Sequence, residues 1–470
     1  MQKSGKLKGF LEILLIIGLI LIISLFFMMR PAAEQNTLKE TPVPTQPETA
    51  TAPVQSTTTN TPEESNALKP KQPPACTFPL AQIRTAESTP ETYTFSEPQV
   101  VLTAAGGNPL NVAQWLPDNQ QLLVTEELRN QYVESNDTLI QQSISLYNLN
   151  TGESKLYAMR PSKYEHPLWS PNMDGVIYSI TSFSSIDRKN ASYKFTRQIK
   201  VSYGDPNSTQ LLVDHLSSPP FPITMQPGGS EILYFSNQQI SKLDNSLKVL
   251  SLASFDPDQW DYAKERRNDE PVSYQAAWQP DTPLVFLYSG AGNLSFQGGY
   301  TFVLNISNGH ICELNLGGPV DGVAQWSSDG RYLAFAKATS YMGFSDTIAL
   351  AVLDSITGDL RTIDVVHPDV KGQHYVTDLT WTPDNLHLLV FVNILSTYDS
   401  FETMHHNLYF VDFATGQSAP LFPEFKSFFA DGGMNNFVWS PDESKLLARC
   451  PVIAYPATER FCLISVKRTK

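Results

Sequence analysis

The chain has 470 residues, more than one small core requires, with 41% apolar and 17% charged side chains. Asp and Glu number 47 against 33 Lys and Arg, a formal net charge of -14. An acidic chain repels phosphate backbones, which excludes nucleic acid as an expected partner.

In residues 13–29 every side chain is apolar except at Gly18 and Ser24, and Lys3, Lys6 and Lys8 precede the run. Residues 10–29 reach the roughly 20 residues that a helix needs to cross the hydrocarbon core. The lysines predict a cytoplasmic N-terminus, with the rest of the chain outside. A cleaved signal peptide is the competing reading, but the apolar run exceeds the usual core of about 7–15 residues. Met28-Met29-Arg30-Pro31 also lacks the small residues of a cleavage site, and no Cys follows to carry a lipid. The expectation is a single-pass signal anchor over residues 1–30, placing the protein in the cell membrane with its folded part extracytoplasmic. Residues 31–75 hold nine Pro, nine Thr and no aromatic residue. Such a stretch buries too little to offset its ordering entropy and predicts a disordered linker with a reach of roughly 40 Å.

From residue 76 onward an internal repeat dominates. An aromatic is followed after one residue by Pro or Ser and then by a turn residue. Trp115-Leu-Pro-Asp, Trp169-Ser-Pro-Asn, Trp278-Gln-Pro-Asp, Trp326-Ser-Ser-Asp-Gly, Trp381-Thr-Pro-Asp and Trp439-Ser-Pro-Asp are six copies, and Met225-Gln-Pro-Gly is a degenerate seventh. Their spacings are 54, 56, 53, 48, 55 and 58 residues, a period that marks a repeat architecture. An alternating apolar run follows each turn, as in residues 121–125, 231–235 and 331–335, and reads as a half-buried strand. A later strand ends in Asn150-Thr-Gly152, Ser307-Asn-Gly309, Ile356-Thr-Gly358 or Ala414-Thr-Gly416, where Gly supplies the positive φ of a two-residue hairpin turn. Each unit is therefore four antiparallel strands, A to D. A sheet with two apolar faces cannot stand alone, but sheets set in a ring cover one another. The fold class expected is all-β, a seven-bladed β-propeller over residues 76–470. In it, Trp115, Trp169, Trp278, Trp326, Trp381 and Trp439 pack between blades. The seventh unit shows only three strands, and residues 99–103, ahead of the first Trp, match a D strand. Pairing them with residues 461–466 closes the ring and removes its free edge.

These repeats resemble the TolB-type propeller, a relative of WD repeats found in bacterial envelope proteins. The closest copies are Trp326-Ser-Ser-Asp-Gly330 with Asp354-Ser-Ile-Thr-Gly358, then Trp439-Ser-Pro-Asp442 and Asp412-Phe-Ala-Thr-Gly416. The resemblance covers residues 98–466 and implies the fold, whereas function varies widely among such propellers. TolB carries six blades and an N-terminal domain, so seven units behind a linker depart from it. The propellers of dipeptidyl peptidase-like proteins are similar too, but their fused hydrolase domain is missing.

No G-x-S-x-G elbow, phosphate-binding loop, H-E-x-x-H or EF-hand loop occurs. His405 and His406 are adjacent and read as a solvated loop edge, not a metal pair. Asp256, Asp258 and Asp261 lack the spacing of a Ca²⁺ loop. Neither a metal nor another cofactor is expected. The leading reading is therefore a non-catalytic binding or scaffold protein. The alternative is a hydrolase or a sensor/regulator whose polar or metal site is assembled across blades at the channel mouth.

Propeller topology puts the A–B and C–D turns at one end and the longer B–C and D–A loops, residues 127–138, 183–192, 254–274, 338–346, 394–405 and 451–459, at the other. Loops on a rigid scaffold carry binding. The loop end offers Tyr132, Trp260, Tyr262, Arg266, Arg267, Tyr341, Tyr398, Phe401 and Tyr455, residue types that anchor interfaces, for a protein, peptide or glycan ligand. Finally, Cys450 and Cys462 face each other across the last hairpin, as a disulfide or as two buried thiols, and Cys76 and Cys312 are left to pair by counting alone.

Overall fold

A computed structural model describes residues 73–469, apart from 84–88, 105–107, 129–140, 161–165, 188–191, 217–222, 228, 230, 237–238, 244–247, 255–273, 290–300, 319, 339–347, 367–371, 396–403, 426, 429–435 and 453–458. The anchor (residues 10–29) and nearly all of the linker lie outside the described residues. No described helix is long and apolar enough to cross a membrane.

The described residues form strands throughout. Thr92–Phe95 (β1) and Gln99–Thr103 (β2) come first. Leu110–Trp115, Gln121–Leu128, Gln141–Asn148 and Ser154–Arg160 (β3 to β6) make the first antiparallel sheet. Leu168–Ser170, Gly175–Asp187, Ser192–Ser202 and Thr209–Leu216 (β7 to β10) make the second. Thr224–Met225, Ile232–Ser236, Gln239–Leu243 and Val249–Ser254 (β11 to β14) make the third. Tyr274–Trp278, Leu284–Ser289, Thr301–Asn305 and His310–Glu313 (β15 to β18) make the fourth. Two further meanders follow: Val320–Trp326, Tyr332–Ala338, Ile348–Asp354 and Leu360–Ile363 (β19 to β22), then Gln373–Trp381, His387–Leu395, Met404–Asp412 and Gln417–Pro420 (β23 to β26). Phe437–Trp439, Lys445–Arg449 and Arg460–Thr469 (β27 to β29) form the last sheet with β1 and β2. Both early strands run antiparallel to β29, β1 against residues 466–469 and β2 against residues 460–463.

The architecture is an all-β propeller of four-stranded antiparallel blades, but seven separate blades are not what stands in it. Five sheets stand apart, and β19 to β26 belong to one eight-stranded sheet. The cause is local. β22 covers β21 only from Leu350 to Leu353, which leaves the backbone edge at Ile348 open. The nine-residue β23 is long enough for Tyr375 to reach that edge in a single parallel bridge.

Two local expectations also change. Residues 183–192 are mostly strand, since β8 has 13 residues and β9 has 11, and the two pair from Val176 with Ser202 out to Asp187 with Ser192. The C–D turns are longer than two residues. In each, the N–H of Gly152, Gly309, Gly358 or Gly416 donates to the carbonyl four residues earlier, with φ of 72°, 73°, 81° and 77°. The side chain that opens the turn, Asn148, Asn305, Asp354 or Asp412, accepts the next free N–H at 2.8–2.9 Å. Each is a turn closed over five residues whose last residue is left-handed, a conformation that suits Gly.

Packing between sheets explains the ring. Neighbouring strand residues point to opposite faces, yet Leu122 and Leu123, and likewise Leu446 and Leu447, are all fully buried. Each sheet therefore needs a partner on both sides. Val112, Leu122 and Leu447 join the last sheet to the first. Leu123, Ile144 and Val176 join the first to the second, and Ile177, Val201 and Ile232 the second to the third. Leu233, Val285 and Phe302 continue to the fourth, and Phe286, Leu333 and Phe335 to the eight-stranded sheet. Leu350, Leu379 and Val390 pack its two halves together, and Leu389, Phe391 and Leu446 return to the last sheet.

Trp115, Trp169, Trp278, Trp326 and Trp381 are buried in these seams, while Trp439 is only half-buried. Several indoles also read the register of the preceding unit. Nε1 of Trp278 donates to Thr224 Oγ1 at 2.9 Å, that of Trp326 to the Ala277 carbonyl at 3.2 Å, and that of Trp381 to the Gln325 carbonyl at 3.0 Å. Trp381 further packs on Tyr332 and Phe413, with ring centroids 6.1 and 5.4 Å away. Trp381→Ala is expected to lose about 3–5 kcal/mol of unfolding free energy in denaturant titration. The half-buried Trp439 should lose distinctly less when truncated in the same way.

Candidate functional site

The two ends of the strands are built differently. At the A–B turns a Ser or Thr after the Trp donates to the turn Asp and accepts the N–H five residues after itself. Ser327–Asp329 and Ser440–Asp442 hydroxyl–carboxylate contacts are each 2.6 Å, and Thr382–Asp384 is 2.7 Å. The returning N–H groups of Tyr332, Lys445 and His387 close these loops at 2.9, 2.9 and 3.2 Å. Neighbouring turns are then stitched sideways. Asn172 Nδ2 donates to the Gly229 carbonyl (2.8 Å) and Gln279 Nε2 to the Gly330 carbonyl (2.7 Å). The Ser328 N–H donates to Asn385 Oδ1 (2.7 Å) and the Asp442 N–H to Asn119 Oδ1 (3.0 Å). Asn119 and Asn385 both sit at a φ of 59°, which Asn tolerates better than most residues. Asn385→Gly keeps that backbone and should lose about 1–2 kcal/mol through the missing acceptor, whereas Asn385→Ala should lose about 1 kcal/mol more. Thermal unfolding of the two variants side by side checks the order.

Thr382, Asp384 and His387 superficially resemble a catalytic triad. Burial works to raise the Asp384 carboxyl, but hydrogen bonds from His387, Thr382 and the Leu386 N–H outweigh it and hold the pKa at about 2. His387 Nδ1 lies 2.8 Å from Asp384 Oδ2. The hydroxyl, however, donates to the carboxylate and not to the imidazole, so no base stands ready to activate it. Ser327 and Ser440 repeat the arrangement without a histidine, which makes it a turn lock.

At the other end lies every connection of more than six residues between successive blade strands. All nine loop residues singled out from the sequence, Tyr132, Trp260, Tyr262, Arg266, Arg267, Tyr341, Tyr398, Phe401 and Tyr455, lie outside the described residues, as do Asp256, Asp258 and Asp261. His405 and His406 do not sit on a loop edge. They belong to β25 and pair with Ile394 and Asn393, because the strand begins at Met404. Among the described residues no group of three or more His, Cys, Asp or Glu is placed to hold a metal ion.

What the described residues do bring together at this end is a buried polar network across the seams of β3, β23 and the last sheet. Asp378 Oδ2 accepts the Asn436 N–H at 2.5 Å and Oδ1 accepts the Leu379 N–H at 2.8 Å. The Arg449 N–H donates to the Asn436 carbonyl at 3.1 Å. The Arg449 guanidinium donates to Glu459 Oε2 at 3.1 Å and to Asn111 Oδ1, and it lies 4.5 Å from the Phe461 ring. Glu459 in turn accepts the Leu110 N–H at 2.6 Å. Three sheets thus meet through one chain of hydrogen bonds, to which the Arg449 guanidinium adds charge-assisted ones, with Arg449 and Asn436 fully buried. Farther round, Arg160 donates to Gln142 Oε1 (2.8 Å) and to the Ser179 carbonyl (3.3 Å), and Tyr288 donates to Gln275 Oε1 (2.9 Å). Burial, with the Arg160 charge added, pushes His166 down to about 4, so it is neutral at pH 7.

Sequence reasoning missed this network, although one signal was there. His166, Gln275, Asp378 and Asn436 each stand three residues before a repeat Trp, and Asn111 matches them once the bulge between Val112 and Gln114 is counted. The disulfide partners are in place as well. Cys450 pairs with Cys462, and Cys76 with Cys312, with Cα atoms 5.0 and 4.9 Å apart.

Burial pushes the Asp378 carboxyl up to about 6, against the hydrogen bonds from Asn436 and Leu379 and the Arg449 charge. The folded state therefore holds a proton that the unfolded chain releases at the ordinary carboxyl value. This contribution to stability is complete at low pH and is lost as pH rises through about 6. Relative to an Asp378→Asn variant, the parent should lose at most about 3 kcal/mol of unfolding free energy between pH 4 and 7. Denaturant titrations across that range measure the difference.

No protein-family model and no curated protein is similar enough to count as a match. Solved structures are similar in fold. An oligogalacturonate lyase in complex with manganese shares 11% identity, over 81% of this chain and 97% of its own, with a TM-score of 0.39. The β-propeller domain of the Trilobed protease from Pyrococcus furiosus shares 11% identity over 80% and 95%, with a TM-score of 0.43. TolB from Acinetobacter baumannii shares 12% over 73% and 79%, with a TM-score of 0.36. The propeller is established by this chain's own sheets and seams, and at such identities and TM-scores the likeness assigns neither family nor role.

Proposed function

We propose that the chain is a membrane-anchored, extracytoplasmic propeller that binds a protein, peptide or glycan at its loop end and performs no catalysis. The observation that carries this reading is the contrast between the two ends. One is short, repetitive and stitched from turn to turn, and the other collects all the long connections on the same rigid ring. Variable loops on a stiff scaffold suit recognition. We read the eight-stranded sheet as two blades, giving seven, because one parallel bridge joins its halves and an apolar seam separates them like the others. An extracytoplasmic location draws support from the pairing of all four cysteines, which an oxidising compartment maintains. Membrane anchoring rests on residues 10–29 and the lysines before them.

The test uses the full chain in its native membranes. Alkaline carbonate should leave it in the membrane pellet, and external protease should remove residues 76–470. Replacing Trp260, Tyr262, Arg266 and Arg267 with Ala should reduce capture of envelope protein or glycan at least about tenfold. Replacing the exposed turn residues Thr151 and Asp359 with Ala should leave it unchanged. Equal capture by both variants, or loss only with the turn variant, overturns the reading. A sensor or enzyme at the channel mouth is the second reading, favoured by the buried Asp378 carboxyl that titrates near neutrality beside Arg449.

A further inference from the structure

The chain ahead of the first sheet follows an unusual path. Residues 74–76 run parallel to the outer edge of the fourth sheet, where the Glu313 N–H donates to the Pro74 carbonyl and the Cys76 N–H donates to the Glu313 carbonyl, both at 2.8 Å. The Cys76–Cys312 disulfide pins the segment there. Phe78, Leu80 and Ala81 then pack into the seam between the fourth sheet and β19 to β22. The Leu80 N–H donates to the Ser355 carbonyl at 2.9 Å, and the Phe78 ring fills the place a Cβ would take on Gly358, at 2.7 Å. Farther on, Glu91 and Tyr93 meet the A–B turn before β24, through the Glu91 N–H to Asp384 Oδ2 (3.3 Å) and the Asp384 N–H to Tyr93 Oη (3.1 Å). Tyr93 already belongs to β1, which with β2 lies on the edge of β29.

We propose that the Cys76–Cys312 bond is a tension bypass. Force arriving through residues 1–72 passes into β18 of the fourth sheet and never reaches the strands that close the ring. Without that bond, a pull on residue 73 works on the strap one contact at a time. Each hydrogen bond is weak on its own, and a pull from one end loads them singly. The peel would run through Leu80, Glu91 and Tyr93 into β1 and then β2. Its loss would strip β29 of its outer neighbour and leave a bare strand edge. With the bond, the strap from residue 77 through β2 is bypassed and shielded. This holds whatever restrains residues 1–72, so it does not rest on the membrane reading.

The test is single-molecule extension of the full chain held at its two ends. The Cys76→Ser/Cys312→Ser variant should show an early low-force step of about 100 Å, the extended length of the chain from Cys76 to Thr103. The parent and a Cys450→Ser/Cys462→Ser variant should both lack that step. Peeling of β29 from the C-terminal side releases no more than about 35 Å and is told apart by its length. Should the first variant fail to fold, the parent is reduced in place with a dithiol, which closes to its own disulfide as Cys76 and Cys312 become thiols. The early step should then appear in the same molecule. A 100 Å step in the oxidised parent, or none after the bond is removed, overturns the proposal.

Discussion

A sheet that is greasy on both faces has to be covered on both faces. Leu122 and Leu123 illustrate the constraint: consecutive residues of one strand, opposite in direction and both without solvent contact. Two stacked sheets would leave two outer faces wet, at a cost of about 25 cal/mol for every Å² of apolar surface. A ring leaves none. Once the ring is adopted, the inner strands converge on one axis, the short turns gather at one end and the long connections at the other.

Closure is the vulnerable point of such a ring, because its last sheet has to be assembled from strands at opposite ends of the propeller chain. Here three devices act on it. β1 and β2 give β29 an outer neighbour, so the last sheet is built from both ends of the propeller. The Asp442 N–H bonds to Asn119 across the gap at the turn end. At the other end Arg449 bonds to Asn111, again linking the last sheet to the first. The Arg449–Glu459 pair lies within the last sheet and holds both groups where they meet Asn111 and the Leu110 N–H; removing one partner of such a buried pair usually costs more than the pair itself contributes.

The innermost strands have one edge paired with the next strand and one edge facing the axis. Their free N–H groups need acceptors, and the preceding unit supplies them. Gln114 and Gln325 accept the N–H groups of Trp169 and Trp381, and Asp378 accepts that of Asn436. A carboxylate in this role is more consequential than an amide, since its charge is enclosed and partly suppressed. The same requirement for acceptors thus also encloses a carboxyl whose pKa burial raises to about 6.

Repetition made the fold legible from the amino-acid sequence. Six Trp turns, the Asp or Asn and Gly of the C–D turns, and the alternation after each are local signals, repeated often enough to overcome the ambiguity of any one copy. Residues 99–103 could be recognised as a strand without a home for the same reason. What depends on distances between remote residues was not legible. Whether β22 is long enough to cover Ile348, and so whether two meanders remain separate or join, turns on a few backbone atoms. The contacts of residues 74–81 and 91–93 with three sheets leave no periodic trace. Asp378, Asn436, Arg449 and Asn111 lie up to 338 positions apart and become one network only when the ring brings their strands to a common axis. Sequence alone determined the repeating unit, because a unit is specified by its own neighbours along the chain. Tertiary structure decided the seams and the channel wall, because burial and hydrogen bonding act across space between residues that the chain keeps apart.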